Sequence, residues 1–332
     1  MRSVAAITLL VGVLTGCSRV MGLPAVPESV TRKDAGLDGL GAASEEAKRL
    51  ALPLGEGTAG TDAVDRVRRA AARIASGDAA AGLAEFSAAV EASPSDLVLG
   101  NAFRMQVYRM KLDFLAGARS RGERSPSFPE YLAREPMATL QRAAATSDAR
   151  ELGVQIALAA VDQMVLNPAL EVRAPASIDS IHAFTAVLRK DPYYVPALVG
   201  RGLNHLNRPR KLVWPEHPAP PENAASLDLS LATAVGAKVG GASPRVKGLL
   251  LLLLGDAYAH EGSAGLARSF WILAGKATGD AGVQRELAER ARWPEPEIPD
   301  RLEARLEERM EDTKAPLSDL SFLWSDEARG PW

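Results

Sequence analysis

The chain has 332 residues, a formal net charge of −2, and 47% hydrophobic, 24% charged and 5% aromatic residues. A charge so close to zero gives no electrostatic reason to expect nucleic-acid binding, and the composition is ordinary for a folded body. Alanine is abundant throughout. Small apolar residues let helices pack closely, whereas β-sandwiches rely on β-branched and aromatic residues. The composition therefore favours an all-α protein that does not bind nucleic acid.

The first residues have the pattern of an export signal. Arg2 precedes an apolar run from Val4 to Leu14, which is shorter than the roughly 20 residues of a permanent membrane helix. The run ends in Leu-Thr-Gly directly before Cys17, the single cysteine of the chain. This segment resembles a bacterial lipoprotein signal, in which small residues precede a cysteine thiol that receives a diacylglyceryl group.

The resemblance implies that residues 1–16 are removed and that acyl chains on Cys17 hold the protein in a membrane. In Gram-negative lipoproteins, an Asp after the cysteine tends to retain the protein at the inner membrane. Here Ser18 follows, so we expect the outer membrane, with the body facing the periplasm. Because there is no second cysteine, we expect no disulfide, thiolate metal site or catalytic cysteine. The alternative is a secretory peptide cut elsewhere near Gly16.

Changes in composition divide the rest of the chain into three further parts. The part after the signal is rich in Gly, Pro and Ala, which is typical of a spacer, with one short helix expected at Ser44–Leu52. Ile298–Thr313 predicts a charged helix with one apolar face, typical of the cap that ends a helical-repeat array. The predicted parts are a signal peptide at 1–16, a flexible tether at 17–62, a helical-repeat domain at 63–291 with a proline-rich insertion at about 208–222, and a C-terminal extension at 292–332.

A pattern typical of the second helix of a helical hairpin lies at Gly82, Phe86, Ala89 and Pro94. Proline cannot donate a backbone hydrogen bond, so we expect a helix that ends before Pro94. The pattern is then lost for some distance. Arg119–Pro136 is predicted to be irregular, and Met137–Thr146 with Asp148–Leu166 to form a degenerate helix pair.

The same spacing returns at Ser180, Phe184, Val187 and Pro192. A short run of Tyr, Val and Pro follows Pro192. Such a run commonly opens a new helix, because proline fits the first helical turn. The proline-rich insertion then begins near Arg208 and contains Trp214.

The most complete unit consists of Leu254, Gly255, Tyr258, Gly262, Ala267, Trp271 and Ala274. Its spacing resembles a tetratricopeptide (TPR) unit, in which two antiparallel helices meet at small residues and are wedged apart by large ones. The resemblance implies that Gly255 and Ala267 are contact positions between the two helices. Tyr258 and Trp271 would then fill the groove, and Gly262 would turn the chain.

The positions of Phe86, Phe184 and Trp271 fit a repeat of about 34 residues with small deletions and one insertion. The longest leucine run, Leu249–Leu254, lies in an amphipathic stretch and is predicted to be core rather than a membrane span. We therefore predict an all-α, TPR-like α-solenoid of helical hairpins, with irregular insertions and a C-terminal capping helix.

The sequence carries no recognisable catalytic, cofactor or metal-binding motif. No two of the four histidines have the spacing of a zinc-binding helix, and His260-Glu261 lacks a second histidine four residues on. A glycine-rich phosphate loop and a Gly-x-Ser-x-Gly elbow are also missing. We therefore expect no enzyme, cofactor or metal. A catalytic triad assembled from distant residues is the alternative.

Three residues are candidates for binding a partner. Asp256 and His260 lie four apart on the first helix of the best unit, so they share a face. In TPR proteins the first helices line the concave surface that binds peptides. The alternative, which we favour, is a solvated pair near a helix end. Trp214 is either a recognition contact or an aromatic residue that folds back over the array.

Two further features are given structural roles. His205 falls at the groove-filling position equivalent to Tyr258, so we expect it to pack inside the array. The apolar segment Leu320–Trp324 near the C-terminus is interpreted as a segment that docks on the body of the protein.

The function that we expect is a lipid-anchored, periplasm-facing scaffold that binds a protein or peptide partner in envelope assembly or secretion. Stacked helix pairs form a curved wall whose groove recognises extended or helical peptides. One alternative is an accessory lipoprotein of a solute transporter, with a small ligand in a pocket lined by Trp214, Trp271 or His260. The other alternative is an all-α enzyme with clustered acidic or histidine residues.

Overall fold

The structure is a computed structural model, which describes residues 23–51, 62–124, 126–166, 170–208, 223–311, 318–326 and 328. Within these ranges the regular secondary structure consists of thirteen α-helices and two short 3-10 helices, with no β-strand, so the prediction of an all-α protein is confirmed. No helix in the same ranges is long and apolar enough to cross a membrane. Cys17 and Trp214 lie outside the described residues.

The chain forms two compact units. The first unit contains residues 41–189 and 312–325, and the second contains 1–40, 190–311 and 326–332. The helices of the first unit are α1 (Leu40–Ala51), α2 (Ala63–Ala75), α3 (Ala79–Ala92), α4 (Leu97–Ser120), α5 (Glu130–Ala144), α6 (Arg150–Leu166) and α7 (Leu170–Lys190). Those of the second are α8 (Val195–Leu206), α9 (Ala224–Val239), α10 (Pro244–His260), α11 (Ala264–Ala277), α12 (Ala281–Arg290) and α13 (Ile298–Glu311).

The α2–α3 hairpin contains the first predicted repeat pattern. A Cβ atom at Gly82 would lie 2.6 Å from Cγ1 of Ile74 and 2.7 Å from the backbone oxygen of Ala70. Only glycine therefore allows the two helices to approach this closely. Phe86 is buried in the core of the first unit, and α3 ends before Pro94, as predicted.

The region predicted to be irregular is in part helical. α5 begins at Glu130 and contains Pro136 in its interior. Proline removes one backbone hydrogen bond from a helix, but α5 buries Leu132 and Leu140 against the core of the first unit. The prediction that Arg119–Pro136 is irregular is therefore wrong over the start of α5, because burial of an apolar face outweighs the local effect of proline.

Part of the segment predicted to be a flexible tether is packed against the second unit. Ala35 is fully buried, and its backbone oxygen accepts a hydrogen bond from the N–H of Val195 at 3.1 Å. The ring of Tyr194 lies against Gly36, whose φ of +68° is a left-handed conformation that glycine adopts without strain. The prediction of a tether over 17–62 is therefore wrong for this part, because its small and apolar residues pack at the start of α8.

Helix α1, in the same predicted tether, is bound to the first unit without burying any residue completely. Leu50 packs against the core, and Nη2 of Arg49 lies 2.7 Å from Oδ2 of Asp62. The pKa of Glu46 is raised to about 8, first by burial and then by the charge of Asp96 and a hydrogen bond between the two carboxyl groups. The nearby charge of Arg49 opposes this rise, and that of Asp62 adds to it.

We expect the attachment of α1 to weaken as the pH rises through about 8. The pKa of Glu46 is higher in the folded than in the unfolded chain, so its contribution to stability is present below its ordinary pKa and is lost as the folded pKa is passed. Hydrogen exchange of the α1 amides, corrected for intrinsic rates, should then accelerate above this pH. Glu46→Gln keeps the side chain neutral and should remove the effect. An equal pH dependence in that variant would contradict this prediction.

The α10–α11 hairpin of the second unit has the predicted contacts. A Cβ atom at Gly255 would lie 2.5 Å from Cδ1 and Nε1 of Trp271 and 3.1 Å from the backbone oxygen of Ala267. The ring of Tyr258 stacks on Phe270 with centroids 5.3 Å apart. Gly255 and Ala267 are thus the contact positions, and Trp271 fills the space beside them, as predicted.

Replacing Gly255 with alanine is expected to lower the free energy of unfolding by about 1–3 kcal/mol, because the added methyl group would overlap the indole of Trp271. Gly265 in α11 is a matched control, since a Cβ atom there meets nothing within 4 Å. Gly265→Ala should be neutral or stabilise by about 0.4–1 kcal/mol. Urea unfolding measures both changes, and an equal effect of the two substitutions would contradict the contact.

Helix α13 packs against α10 near the end of the second unit. Ile298 and Leu302 are fully buried, and Leu306 is 5% exposed. On α10, every residue of the run Leu249–Leu254 is buried, so the prediction that this run is core is confirmed.

Candidate functional site

The structure does not place Asp256 and His260 on an exposed face. Asp256 is 2% exposed, and Nε and Nη2 of Arg290 donate to its two carboxylate oxygens at 2.7 and 2.8 Å. Nε1 of Trp271 donates to the same carboxylate at 2.9 Å. Both interpretations of Asp256, as a solvated residue and as a partner contact, are therefore wrong, because α12 brings a buried arginine to it.

Arg290 is the centre of a closed polar network. Its guanidinium lies 5.9 Å from the ring centroid of Trp271 and 5.5 Å from that of Trp293, and Nη1 donates to Oε2 of Glu286 at 2.8 Å. Desolvation alone would lower the pKa of Arg290, but the charges and hydrogen bonds of Asp256 and Glu286 raise it above its ordinary value. The network holds α10, α11 and α12 together and is a structural element.

The two histidines of this region also face the protein itself. Nε2 of His260 forms a hydrogen bond with the backbone oxygen of Arg208 at 2.9 Å. His205 is half-buried, and its pKa is lowered to about 4 by desolvation and then by the charges of Arg208 and Arg201. His205 is therefore neutral at physiological pH, in agreement with a packing role. Arg201 in turn pairs with Asp228, with two N–O distances of 2.7 Å.

An open apolar groove lies between α11 and α12. It has a volume of about 450 Å³ and is lined by Arg268, Trp271, Ile272 and Gly275 on one side and by Gln284, Leu287, Ala288 and Ala291 on the other. Each set follows the i, i+3, i+4, i+7 spacing of one helix face. The side chain of Ile272 is 60% exposed, whereas the other large aliphatic residue of the lining, Leu287, is half-buried.

The groove is bordered by positive charge. Lys276 lies one turn after Ile272 on α11, and Arg285 and Arg292 lie one turn to either side of Ala288 along the second wall. All three cations are exposed, and their side chains form no hydrogen bond or ion pair within the part of the chain that the structure describes. None of the lining residues is acidic. The groove is therefore suited to an apolar surface with negative charge beside it.

Sequence reasoning missed this groove because it assigned only the inward face of α11, at Ala267, Trp271 and Ala274. Ile272 falls outside that face and beside Lys276. A large aliphatic residue on the polar side of a helix was the signal that could have indicated a binding surface.

Within the described residues, no group of three or more His, Cys, Asp or Glu side chains is placed to hold a metal ion. The lining of the groove consists of apolar residues, one arginine and one glutamine. Comparison of the chain with protein-family models, with curated proteins and with solved structures finds no match in any of the three.

Proposed function

We propose that this chain is a lipid-anchored helical-repeat protein of the bacterial envelope, which binds an acidic amphipathic helix of a partner protein in the groove between α11 and α12. The observation that carries the proposal is the exposed Ile272 in an apolar groove that exposed, unpaired cations border.

The envelope location rests on the N-terminal sequence. Small residues precede Cys17 after a short apolar run, and Ser18 follows it, as in lipoproteins sorted to the outer membrane with the body in the periplasm. The test is Cys17→Ser, which should lose lipid labelling and leave the membrane fraction. An unmodified N-terminus in the intact mass of the mature wild-type protein would contradict the anchor.

The TPR-like organisation is supported by two hairpins with the same type of contact. Gly82 in α3 faces the backbone of α2, and Gly255 in α10 faces Trp271 and the backbone of α11. In both cases a missing side chain permits close approach of antiparallel helices. Helix pairs of this kind leave grooves between neighbouring helices that accept a further helix.

A helix is the occupant that fits the α11–α12 groove. Two adjacent helices present parallel ridges, and a third helix packs between them at about 8–10 Å from each axis. Burial of the 60% of Ile272 that is exposed would contribute about 1–2 kcal/mol. Glutamate or aspartate beside the apolar face of the incoming helix would meet Lys276, Arg285 and Arg292. These exposed pairs steer association and select the partner, and salt weakens them.

The test uses the full mature chain in detergent and labelled amphipathic peptides that share one apolar face and differ in acidic, neutral or basic flanks. In fluorescence anisotropy the acidic peptide should bind most tightly, the neutral peptide less tightly and the basic peptide least. These differences in affinity should become smaller as the salt concentration rises. Ile272→Glu should weaken binding of the acidic peptide by about tenfold or more. Leu227→Glu is the matched control, because Leu227 is 55% exposed in the same unit and does not line the groove. Equal binding by Ile272→Glu and the control, or no preference for acidic flanks, would overturn the proposal.

A photo-crosslinking amino acid at position 272 then tests the groove in intact envelopes. A crosslinked partner whose attached segment is an acidic amphipathic helix supports the proposal. A crosslinked segment that is basic or extended contradicts it.

A further inference from the structure

The first unit contains a separate cavity of about 220 Å³. It lies between α1, α2, α3, α4 and the C-terminal segment that ends at Trp324. Its apolar walls are supplied by Leu50, Val67, Phe86, Val98, Met105 and Trp324. An engineered apolar cavity of about 150 Å³ holds a benzene molecule. This cavity therefore has room for one aromatic ring and a short polar substituent.

Most polar groups of the lining are engaged with the protein. Nδ2 of Asn101 donates to Oδ1 of Asp319 at 2.9 Å, and Nη1 of Arg68 lies 3.1 Å from Oδ1 of Asp65. The carboxylate of Asp319 also accepts a hydrogen bond from the N–H of Ser321 at 2.9 Å. These contacts fix the walls, and they engage Oδ1 of Asp319 twice.

Two other polar groups of the lining have no such partner. Arg109 and Gln106 both line the cavity from α4, where Arg109 lies one turn after Met105 and three residues after Gln106. Arg109 is exposed and Gln106 half-buried. Within the described ranges, neither side chain forms a hydrogen bond or ion pair. The cavity thus combines an apolar interior with a guanidinium and an amide at one end.

We propose that the first unit binds a small aromatic carboxylate in this cavity, with its ring between Phe86, Leu50 and Met105 and its carboxylate on Arg109. A guanidinium binds a carboxylate through two parallel hydrogen bonds, so it recognises the charge and the planar shape together. The amide of Gln106 is placed on the same helix to donate a further hydrogen bond. This site is independent of the partner groove, which belongs to the other unit.

The cavity is open to solvent, because Arg109 and Ala51 of its lining are exposed. Helix α1 forms one wall through Ala47, Leu50 and Ala51 and buries no residue completely. Its ion pair between Arg49 and Asp62 is exposed, and such pairs contribute about 0–1 kcal/mol.

The test measures binding of phenylacetate, phenylacetamide and phenethylamine to the full mature chain by isothermal titration calorimetry. Phenylacetate should bind more tightly than the neutral amide, and the amine should not bind. Arg109→Gln should weaken the binding of phenylacetate by about tenfold or more, and it should leave the affinity for phenylacetamide unchanged. Arg119→Gln is the matched control, because Arg119 is an exposed arginine of the same helix that does not line the cavity.

A second variant tests the cavity itself. Ala102 lines it from α4, and Ala102→Phe should fill it and abolish binding of both phenylacetate and phenylacetamide. If this variant does not fold by circular dichroism, the comparison of Arg109→Gln with Arg119→Gln still decides the question. Equal phenylacetate affinity in those two variants, absence of binding to the wild type, or tight binding of the amine would overturn the proposal. Ile272→Glu should leave phenylacetate binding unchanged, so failure of this site and failure of the groove are distinguishable.

Discussion

Replacing Asp256 with alanine is expected to lower the free energy of unfolding of the second unit by about 3–5 kcal/mol. The substitution would leave the guanidinium of Arg290 buried between Trp271 and Trp293 with two of its donors unmatched. It would also remove the acceptor of the indole N–H of Trp271. Urea unfolding followed by tryptophan fluorescence measures the loss, because both indoles border the network.

The control for Asp256→Ala is Glu307→Ala, which removes an exposed carboxylate of α13 in the same unit and should change stability by less than about 0.5 kcal/mol. The double variant Asp256→Leu with Arg290→Met removes both charges. It should be less destabilised than Asp256→Ala, since no unpaired ion is left buried. If Asp256→Ala lowers the free energy of unfolding no more than the control does, the stabilising role of this network is contradicted. Any loss of partner binding in Asp256→Ala must accordingly be corrected for unfolding.

The second large effect is expected at Arg104, whose side chain is completely buried in the first unit. Nε donates to Gln155 at 2.7 Å, Nη1 to Asp162 at 2.8 Å, and Nη2 to the backbone oxygen of Ser318 at 3.0 Å. Arg104→Ala should lower the free energy of unfolding by about 3–5 kcal/mol. The same substitution should release the segment 318–325, and the amides of this segment should then exchange their hydrogens faster than in the wild type.

Ser318→Ala separates the two effects. The hydroxyl of Ser318 donates to the carboxylate of Asp162, so its removal should lower stability by only about 0.5–1.5 kcal/mol. Arg104→Lys should lie between the two variants, because an ammonium cannot reproduce the planar fork that reaches Gln155, Asp162, Ser318 and also Oδ1 of Asn101. Unchanged exchange of residues 318–325 in Arg104→Ala would show that Arg104 does not hold this segment.

The helical class and the contacts within helical hairpins could be predicted from the amino-acid sequence. Gly82 and Gly255 could be recognised because the two helices of a hairpin follow each other in the chain, so their contacts repeat at a fixed spacing. Helix ends before Pro94 and Pro192 were also local effects, since proline acts on its own turn. The docking of Leu320–Trp324 was expected from its apolar composition, and Leu320 and Phe322 are fully buried.

The surroundings of the buried polar residues, in contrast, depend on contacts between helices that are distant in the chain. Asp256 meets Arg290, and Asp162 meets Arg104 and Ser318, across separations that no repeat spacing encodes. The sequence does not distinguish a carboxylate that is solvated from one that is neutralised by an arginine distant in the chain. The groove at Ile272 and the cavity at Arg109 are likewise formed by several elements together. What the groove and the cavity can bind depends on which polar side chains remain without partners after folding. Packing between distant parts of the chain decides this.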